Sequence, residues 1–214
     1  MARAIFILPK RDLGESRLTP QGQWCGATRK LQLAFYLASW GMYRGSSFLL
    51  QHAYTVHRPV IDVLVNPRFE TLKDPSFGTR AADLQLVPIV SELVAAVKAA
   101  YLPFARRISA GDPTDTLATK VILGTIGCLP ACDRYFIDGF KSQSFPDSSL
   151  NRKSISKVVD FCQANAAELR SQQASLEETC GIRYPIMKLV DMYFWQLGYE
   201  RDPNAGKRRR AAPA

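Results

Sequence analysis

The sequence has little of what most catalytic and metal sites require. It contains only two histidines, His52 and His57, and neither is close in sequence to a cysteine. A zinc site needs four ligands that usually come in closely spaced pairs, so we predict no metal site. The sequence also lacks a G-x-S-x-G nucleophile elbow and a phosphate-binding P-loop. We therefore expect no metal and no other cofactor.

Features of secreted and membrane proteins are also scarce. The five cysteines are odd in number and irregularly spaced, which does not predict a disulfide framework. The apolar run at 4–8 is shorter than the hydrophobic part of a secretory signal. The apolar stretch 84–101 contains Pro88, Glu92 and Lys98, which argues against a membrane span. We therefore expect a cytoplasmic protein without a membrane partner.

The composition is that of a globular protein with a basic balance. The chain has 214 residues, of which 47% are hydrophobic and 22% charged, enough to bury a core in one domain. It carries 28 Lys and Arg against 19 Asp and Glu, a net charge of +9. A basic balance favours nucleic acid or an acidic protein as partner. We predict a helical domain over 1–201 and a disordered basic tail over 202–214, which contains four consecutive cations: Lys207, Arg208, Arg209 and Arg210.

The hydrophobic pattern predicts helices almost throughout. An apolar face recurs at steps of three and four residues through Val87, Val90, Val94, Val97 and Tyr101. One further long amphipathic helix is expected over 155–169. The stretch 56–65 is rich in β-branched residues and fits a short strand or a short buried helix. We predict an all-α, irregular single-domain bundle of about six to eight helices, with no internal repeat.

The segment 120–141 combines glycine, proline, cysteine and charged residues between two apolar helical patterns. We predict a helix from about Asp115, a break at Gly127 and a second helix from Pro130. Asp133 and Lys120 are the candidates for catalytic residues in this segment. A separate turn at 39–47 precedes a predicted short helix and contains a candidate anion site. Its members are the guanidinium of Arg44 and the hydroxyls of Ser46 and Ser47.

The stretch 123–131 resembles the helix-hairpin-helix motif L-P-G-[IV]-G-x-x-T-A. The positions that match are Leu123, Ile126, Gly127 and Ala131, whereas Thr125 replaces the first hairpin glycine and Pro130 the threonine. In that family the backbone N–H groups of the hairpin hold a DNA phosphate without reading sequence. The resemblance implies nucleic-acid contacts at Gly124, Gly127 and Arg134, which the basic tail would extend. It also suggests a DNA glycosylase, although Asp133 follows the hairpin more closely than the catalytic carboxylate of that family does.

Three longer stretches, 35–47, 119–136 and 184–195, are similar to an uncharacterised family of bacterial all-helical proteins. This resemblance implies no activity. The leading hypothesis is therefore a bacterial cytoplasmic module that binds nucleic acid or a protein without catalysis. The alternatives are an enzyme acting on nucleic acid, with Asp133 and Lys120 beside Arg44, and an interaction protein of the antitoxin or immunity type.

Overall fold

A computed structural model of the chain describes residues 21–108, 111–143 and 149–204, with side chains from Thr28 onwards. These ranges contain eight α-helices and four short 3₁₀ segments, and no strand. The α-helices are α1 Gln21–Ser39, α2 Arg58–Leu64, α3 Val87–Arg107, α4 Asp115–Thr125, α5 Arg134–Ser142, α6 Arg152–Ala164, α7 Ala166–Cys180 and α8 Ile186–Arg201. The 3₁₀ segments are Phe48–Gln51, Tyr54–His57, Pro67–Leu72 and Ala81–Leu86. The predicted all-α class is confirmed.

The ends of helices depend on single capping side chains. Thr114 caps α4, and its hydroxyl accepts a hydrogen bond from the N–H of Leu117 at 3.2 Å. Asp133 caps α5 in the same way and accepts from the N–H of Phe136 at 3.1 Å. The predicted start of this helix at Pro130 is therefore wrong, because the chain stays irregular until a carboxylate caps the free N–H groups.

Two further predictions concern local structure. Of the two alternatives for 56–65, a short strand and a short buried helix, the helix is the one formed, and Pro59 occupies the first turn of α2, where the missing N–H costs nothing. The long helix predicted over 155–169 is divided between α6 and α7 at Asn165. Both the backbone N–H and the side-chain amide of Asn165 donate to the carbonyl oxygen of Phe161, which closes the last turn of α6.

Helix α3 provides much of the core. Its inner face is buried and includes Val90, Leu93, Val97 and Tyr101. Within the described ranges one helical span, Ala81–Arg107, is long and apolar enough to cross a membrane by length and composition. A third of this apolar window is buried within the protein, and core helices and signal sequences meet the same criterion.

Helices α5 and α8 pack backbone to backbone. A methyl group on Gly139 would overlap the carbonyl oxygen of Phe194, and one on Gly198 would overlap that of Tyr135. The pairing of Tyr135 with Gly198 and of Gly139 with Phe194 shows that the two helices run in opposite directions. This contact fixes the end of the connection that precedes α5, and therefore the position of Asp133.

The start of the predicted tail is attached to α5. Asp202 is buried, and its carboxylate accepts hydrogen bonds from Arg134 and from the Tyr135 hydroxyl, both at 3.1 Å. The cations predicted to bind nucleic acid from the tail, Lys207, Arg208, Arg209 and Arg210, lie outside the described residues.

Candidate functional site

Asp133 and Lys120, the two candidates for catalysis, form an ion pair with each other. Asp133 Oδ2 lies 3.4 Å from Lys120 Nζ, while Oδ1 of the same carboxylate caps α5. The side chain of Lys120 is only 6% exposed and that of Asp133 17%. The carboxylate thus joins α4 to the start of α5.

A second buried ion pair lies beside the first. Lys188 and Asp191, one turn apart on α8, are 3.0 Å apart and both nearly inaccessible. Asp191 also accepts a hydrogen bond of 3.0 Å from the N–H of Ala131. This contact joins α8 to the connection 126–133. Without it, the buried N–H of Ala131 would have no hydrogen-bond acceptor.

The indole ring of Trp40 contacts the lysines of both pairs. The ammonium groups of Lys120 and Lys188 lie 4.4 and 4.5 Å from its centroid, within the range of cation–π attraction. We call the five residues Trp40, Lys120, Asp133, Lys188 and Asp191 the Trp40 charge cluster. Its two cations and two anions balance, which is the condition under which buried charges are tolerated.

Burial shifts the protonation equilibria within this cluster. Desolvation lowers the pKa of Lys120, although the carboxylate of Asp133 acts in the opposite direction. Desolvation likewise raises the pKa of Asp191, and the ammonium of Lys188 opposes that shift. A lysine with a lowered pKa is a potential nucleophile, but here the amine contacts a carboxylate and an indole face. The arrangement is suited to joining α1, α4, α5 and α8.

The two glycines of the hairpin-like segment face the interior. Gly124 lies against the ring of Tyr36, where a methyl group would overlap the ring. Gly127 has a φ of +78° and packs on Pro185, and its N–H donates to the carbonyl oxygen of Ile122 at 2.8 Å. The N–H that would hold a phosphate in the helix-hairpin-helix motif is thus engaged in ending α4.

Arg134 and the predicted anion site lie closer to the surface. Arg134 is exposed and forms ion pairs with Asp138 at 3.6 Å and Asp202 at 3.1 Å. The guanidinium of Arg44 folds over Gly41, and Arg44 forms no ion pair with any residue of the described ranges. The hydroxyl of Ser47 caps the segment Phe48–Gln51, whereas Ser46 is exposed.

A buried histidine connects the Arg44 turn to α3. The ring of His57 bridges two tyrosine hydroxyls at 2.6 Å each, those of Tyr43 and Tyr101. Burial lowers the pKa of His57 to about 4, so the ring is neutral and donates through one nitrogen while accepting at the other. The second histidine, His52, bonds the carbonyl oxygen of Phe104 at 3.2 Å.

Four arginines either adjoin these contacts in sequence or end α3. Arg44 follows Tyr43 and Arg58 follows His57, while two more arginines end the helix itself. We call Arg44, Arg58, Arg106 and Arg107 the arginine end. All four are exposed, and none forms an ion pair within the part of the chain that is described.

Sequence reasoning missed both the Lys188–Asp191 pair and the arginine end. The signal for the first was present, since two opposite charges three residues apart interrupt the apolar run that opens α8. No local signal marks the second, because its arginines come from three separate parts of the chain.

Within the described ranges, no group of three His, Cys, Asp or Glu side chains is arranged to hold a metal ion. Comparison of the chain with protein-family models, with curated proteins and with solved structures finds no match in any of the three.

Proposed function

We propose that the protein binds nucleic acid through the arginine end, without catalysing a reaction. The observation that carries the proposal is that Arg44, Arg58, Arg106 and Arg107 are exposed and form no ion pair in the described part of the chain, and that Tyr43 and His57, which precede the first two, are joined to α3 through Tyr101. Four exposed guanidinium groups without acidic partners form a site suited to phosphates. A single acidic side chain, Asp62, lies one turn after Arg58 on α2 and is exposed.

Several other cations of the described surface neutralise acidic side chains, as in the pairs Arg68–Glu92, Lys73–Glu70, Arg80–Asp83, Lys98–Asp115 and Arg183–Glu177. The exposed Lys141, Arg152, Lys153 and Arg201 form no ion pair in the described part of the chain, but they lie on other elements. A paired cation must give up its carboxylate before it meets a phosphate. The arginine end needs no such exchange, and its charge is therefore directly available to a polyanion.

The chemistry of the arginine end favours the backbone of the nucleic acid over its bases. A guanidinium donates two parallel hydrogen bonds to a phosphate, which positions the partner but carries no sequence information. The ring of Phe104 lies 5.8 Å from the guanidinium carbon of Arg107 and holds this side chain near the helix end. We therefore expect binding that depends on salt and varies little with sequence.

The test is a salt titration with a fluorescent oligonucleotide, as single strand and as duplex. For a duplex, log K should fall with log salt with a slope of about −0.9 for each phosphate contact. The double variant Arg106→Gln/Arg107→Gln loses two such contacts, so its slope should be less steep by about 2. The matched control is Arg68→Gln, because Arg68 is exposed but paired with Glu92.

The basic run of the tail is tested separately by replacing its four cations with glutamine. Retention of binding in that variant, with loss in the Arg106/Arg107 variant, supports the arginine end. Absence of binding at low salt, or equal losses in the control, refutes the proposal. Equal affinity for an unstructured polyglutamate chain would instead indicate an acidic protein partner.

The enzymatic alternative has weaker support. It assigns catalysis to Asp133 and Lys120, which lie 3.4 Å apart and are both engaged in the Trp40 charge cluster. A protein partner of the antitoxin or immunity type is the remaining alternative, which stoichiometric copurification tests. For location we propose the bacterial cytoplasm, because the four cysteines whose side chains are described are free thiols, including the exposed Cys180.

A further inference from the structure

A cavity of about 240 Å³, open to solvent on one side, lies between α4, α5, α6 and the connection 126–133. Its walls are mainly apolar and include Leu129, Phe136, Phe140, Leu150, Ile155 and Val158. We propose that this cavity binds a small, uncharged aromatic molecule of one or two rings. The proposal is independent of nucleic-acid binding, since the arginine end lies on other elements.

The volume sets the size of the ligand. An apolar cavity of about 150 Å³ accommodates a benzene molecule, and the pockets that bind drug-sized ligands begin at about 300 Å³. A cavity of about 240 Å³ lies between these values. It therefore fits a substituted single ring or a fused pair of rings such as indole.

The hydroxyl groups in the wall limit the polarity of the ligand. The Thr116 hydroxyl donates to the carbonyl oxygen of Cys132 at 2.9 Å, and the Ser154 hydroxyl donates to that of Asn151 at the same distance. Ser154 also accepts from the N–H of Asn151. These two hydroxyls have thus donated their protons, and the free lone pair of Thr116 can accept one N–H or O–H from a ligand. The third hydroxyl in the wall, that of Ser149, accepts from the side-chain amide of Asn151 at 3.2 Å and can donate to one acceptor on a ligand.

The charges at the cavity compensate each other. The carboxylate of Asp115 in the wall pairs with Lys98 at 2.8 Å, which leaves no net charge on this side. A charged ligand would lose part of its hydration without gaining an opposite charge, which disfavours its binding. An uncharged ligand avoids this cost.

Two phenylalanines favour an aromatic ligand over an aliphatic one. The rings of Phe136 and Phe140 stack at 5.6 Å with an interplanar angle of 17°, and Phe194 packs edge-on against both. Both rings line the cavity and are packed against other rings, so that a planar aromatic ligand would extend an existing aromatic cluster. Aromatic pairs gain energy beyond their buried area in such arrangements.

The thiol of Cys132 lies in the wall and serves as a reporter. Burial raises its pKa to about 12, so it stays protonated at neutral pH and reacts slowly with alkylating reagents. Cys180 is exposed and lies outside the cavity, which makes it an internal reference in the same molecule.

The experiment follows alkylation of each cysteine by iodoacetamide at pH 8, using mass spectrometry and the full-length protein. Indole is the probe, and benzoate is the charged control of similar size. At ten times its dissociation constant, indole should slow alkylation of Cys132 about tenfold and leave Cys180 unchanged. Equal alkylation of Cys132 with and without indole up to its solubility limit, or equal protection by benzoate, overturns the proposal.

Two variants that fill the cavity complete the test. In wild-type protein indole should raise the thermal unfolding midpoint, and Val158→Phe should abolish this shift because the new ring occupies the space. Leu150→Trp fills the cavity from the connection before α6, where the side chain is only half-buried, and remains informative if the first variant does not fold. A folded filling variant that still gains stability from indole contradicts the assignment.

Discussion

Replacing Asp133 by asparagine separates the two roles of this residue. Asparagine caps helices about as well as aspartate, so the hydrogen bond from the N–H of Phe136 should persist. The negative charge is lost, and the buried ammonium of Lys120 loses its nearest carboxylate. The substitution therefore measures the ion pair without the cap.

The expected destabilisation is about 2–3 kcal/mol. Removing one partner of a buried ion pair generally costs about 3–5 kcal/mol. The loss also has an upper limit, because Lys120 can release its proton instead of remaining buried as an unpaired cation. Neutralising a lysine of pKa about 10.4 at pH 7 costs about 4.6 kcal/mol. The effect should fall below these values because the side chain of Asp133 is 17% exposed and the carboxylate of Asp191 also acts on Lys120.

The same variant should show a pH dependence of known sign. Burial lowers the pKa of Lys120 in the folded protein, and removal of Asp133 lowers it further. Between that pKa and the unfolded value of about 10.4, the unfolded chain binds more protons, so stability increases with pH. The difference in unfolding free energy between wild type and variant should therefore be smaller at pH 9.5 than at pH 7.

Urea denaturation followed by circular dichroism measures these values. Asp138→Asn is the matched control, because its pair with Arg134 is half-exposed and should contribute less than about 0.5 kcal/mol. The double variant Asp133→Asn/Lys120→Met should recover most of the loss, since no buried charge is then unpaired. If Asp133→Asn unfolds at the same urea concentration as wild type, the carboxylate has no structural role and the reasoning is refuted.

Two further predictions concern the packing and the buried histidine. Gly139→Ala should lower the unfolding free energy by about 2 kcal/mol or more, because the methyl group overlaps the carbonyl oxygen of Phe194; Gly111→Ala, in open space, should change it by less than about 0.5 kcal/mol in the same urea assay. The pKa of His57 is about 4 in the folded protein and about 6.5 in the unfolded chain. As the pH falls from 6.5 to 4, the unfolded chain therefore takes up a proton that the folded protein does not, and the unfolding free energy should fall by about 3 kcal/mol. His57→Gln should remove that part of the slope, and an unchanged slope would show that other groups cause it.

Local patterns were sufficient for much of the fold. The break after α4 was predicted from Gly127, whose positive φ is a conformation that glycine adopts readily. The inner face of α3 was predicted from spacing alone, and Val90, Val97 and Tyr101 are all buried. Such features depend on residues within one or two turns of each other, so the sequence contains the whole signal.

The arrangement of charges could not be predicted in this way. The sequence gives no reason to pair Lys120 with Asp133. The role of Lys188 in an apolar helix depends on Trp40, which follows α1 and is distant in sequence. The start of α5 was misplaced because proline and aspartate both favour a first turn, and tertiary contacts at Ala131 determine which of them begins the helix.

The contact between α5 and α8 also affects when the protein can complete its fold. About 60 residues separate Ser142, the last residue of α5, from Arg201, the last of α8. At a synthesis rate of about 5–20 residues per second, about 3–12 s pass between the synthesis of α5 and that of α8, against which Gly139 packs. During that interval the rings of Phe136 and Phe140 lack Phe194, their partner in the finished protein. The nascent chain therefore exposes an aromatic surface to chaperones and to other nascent chains until α8 has emerged.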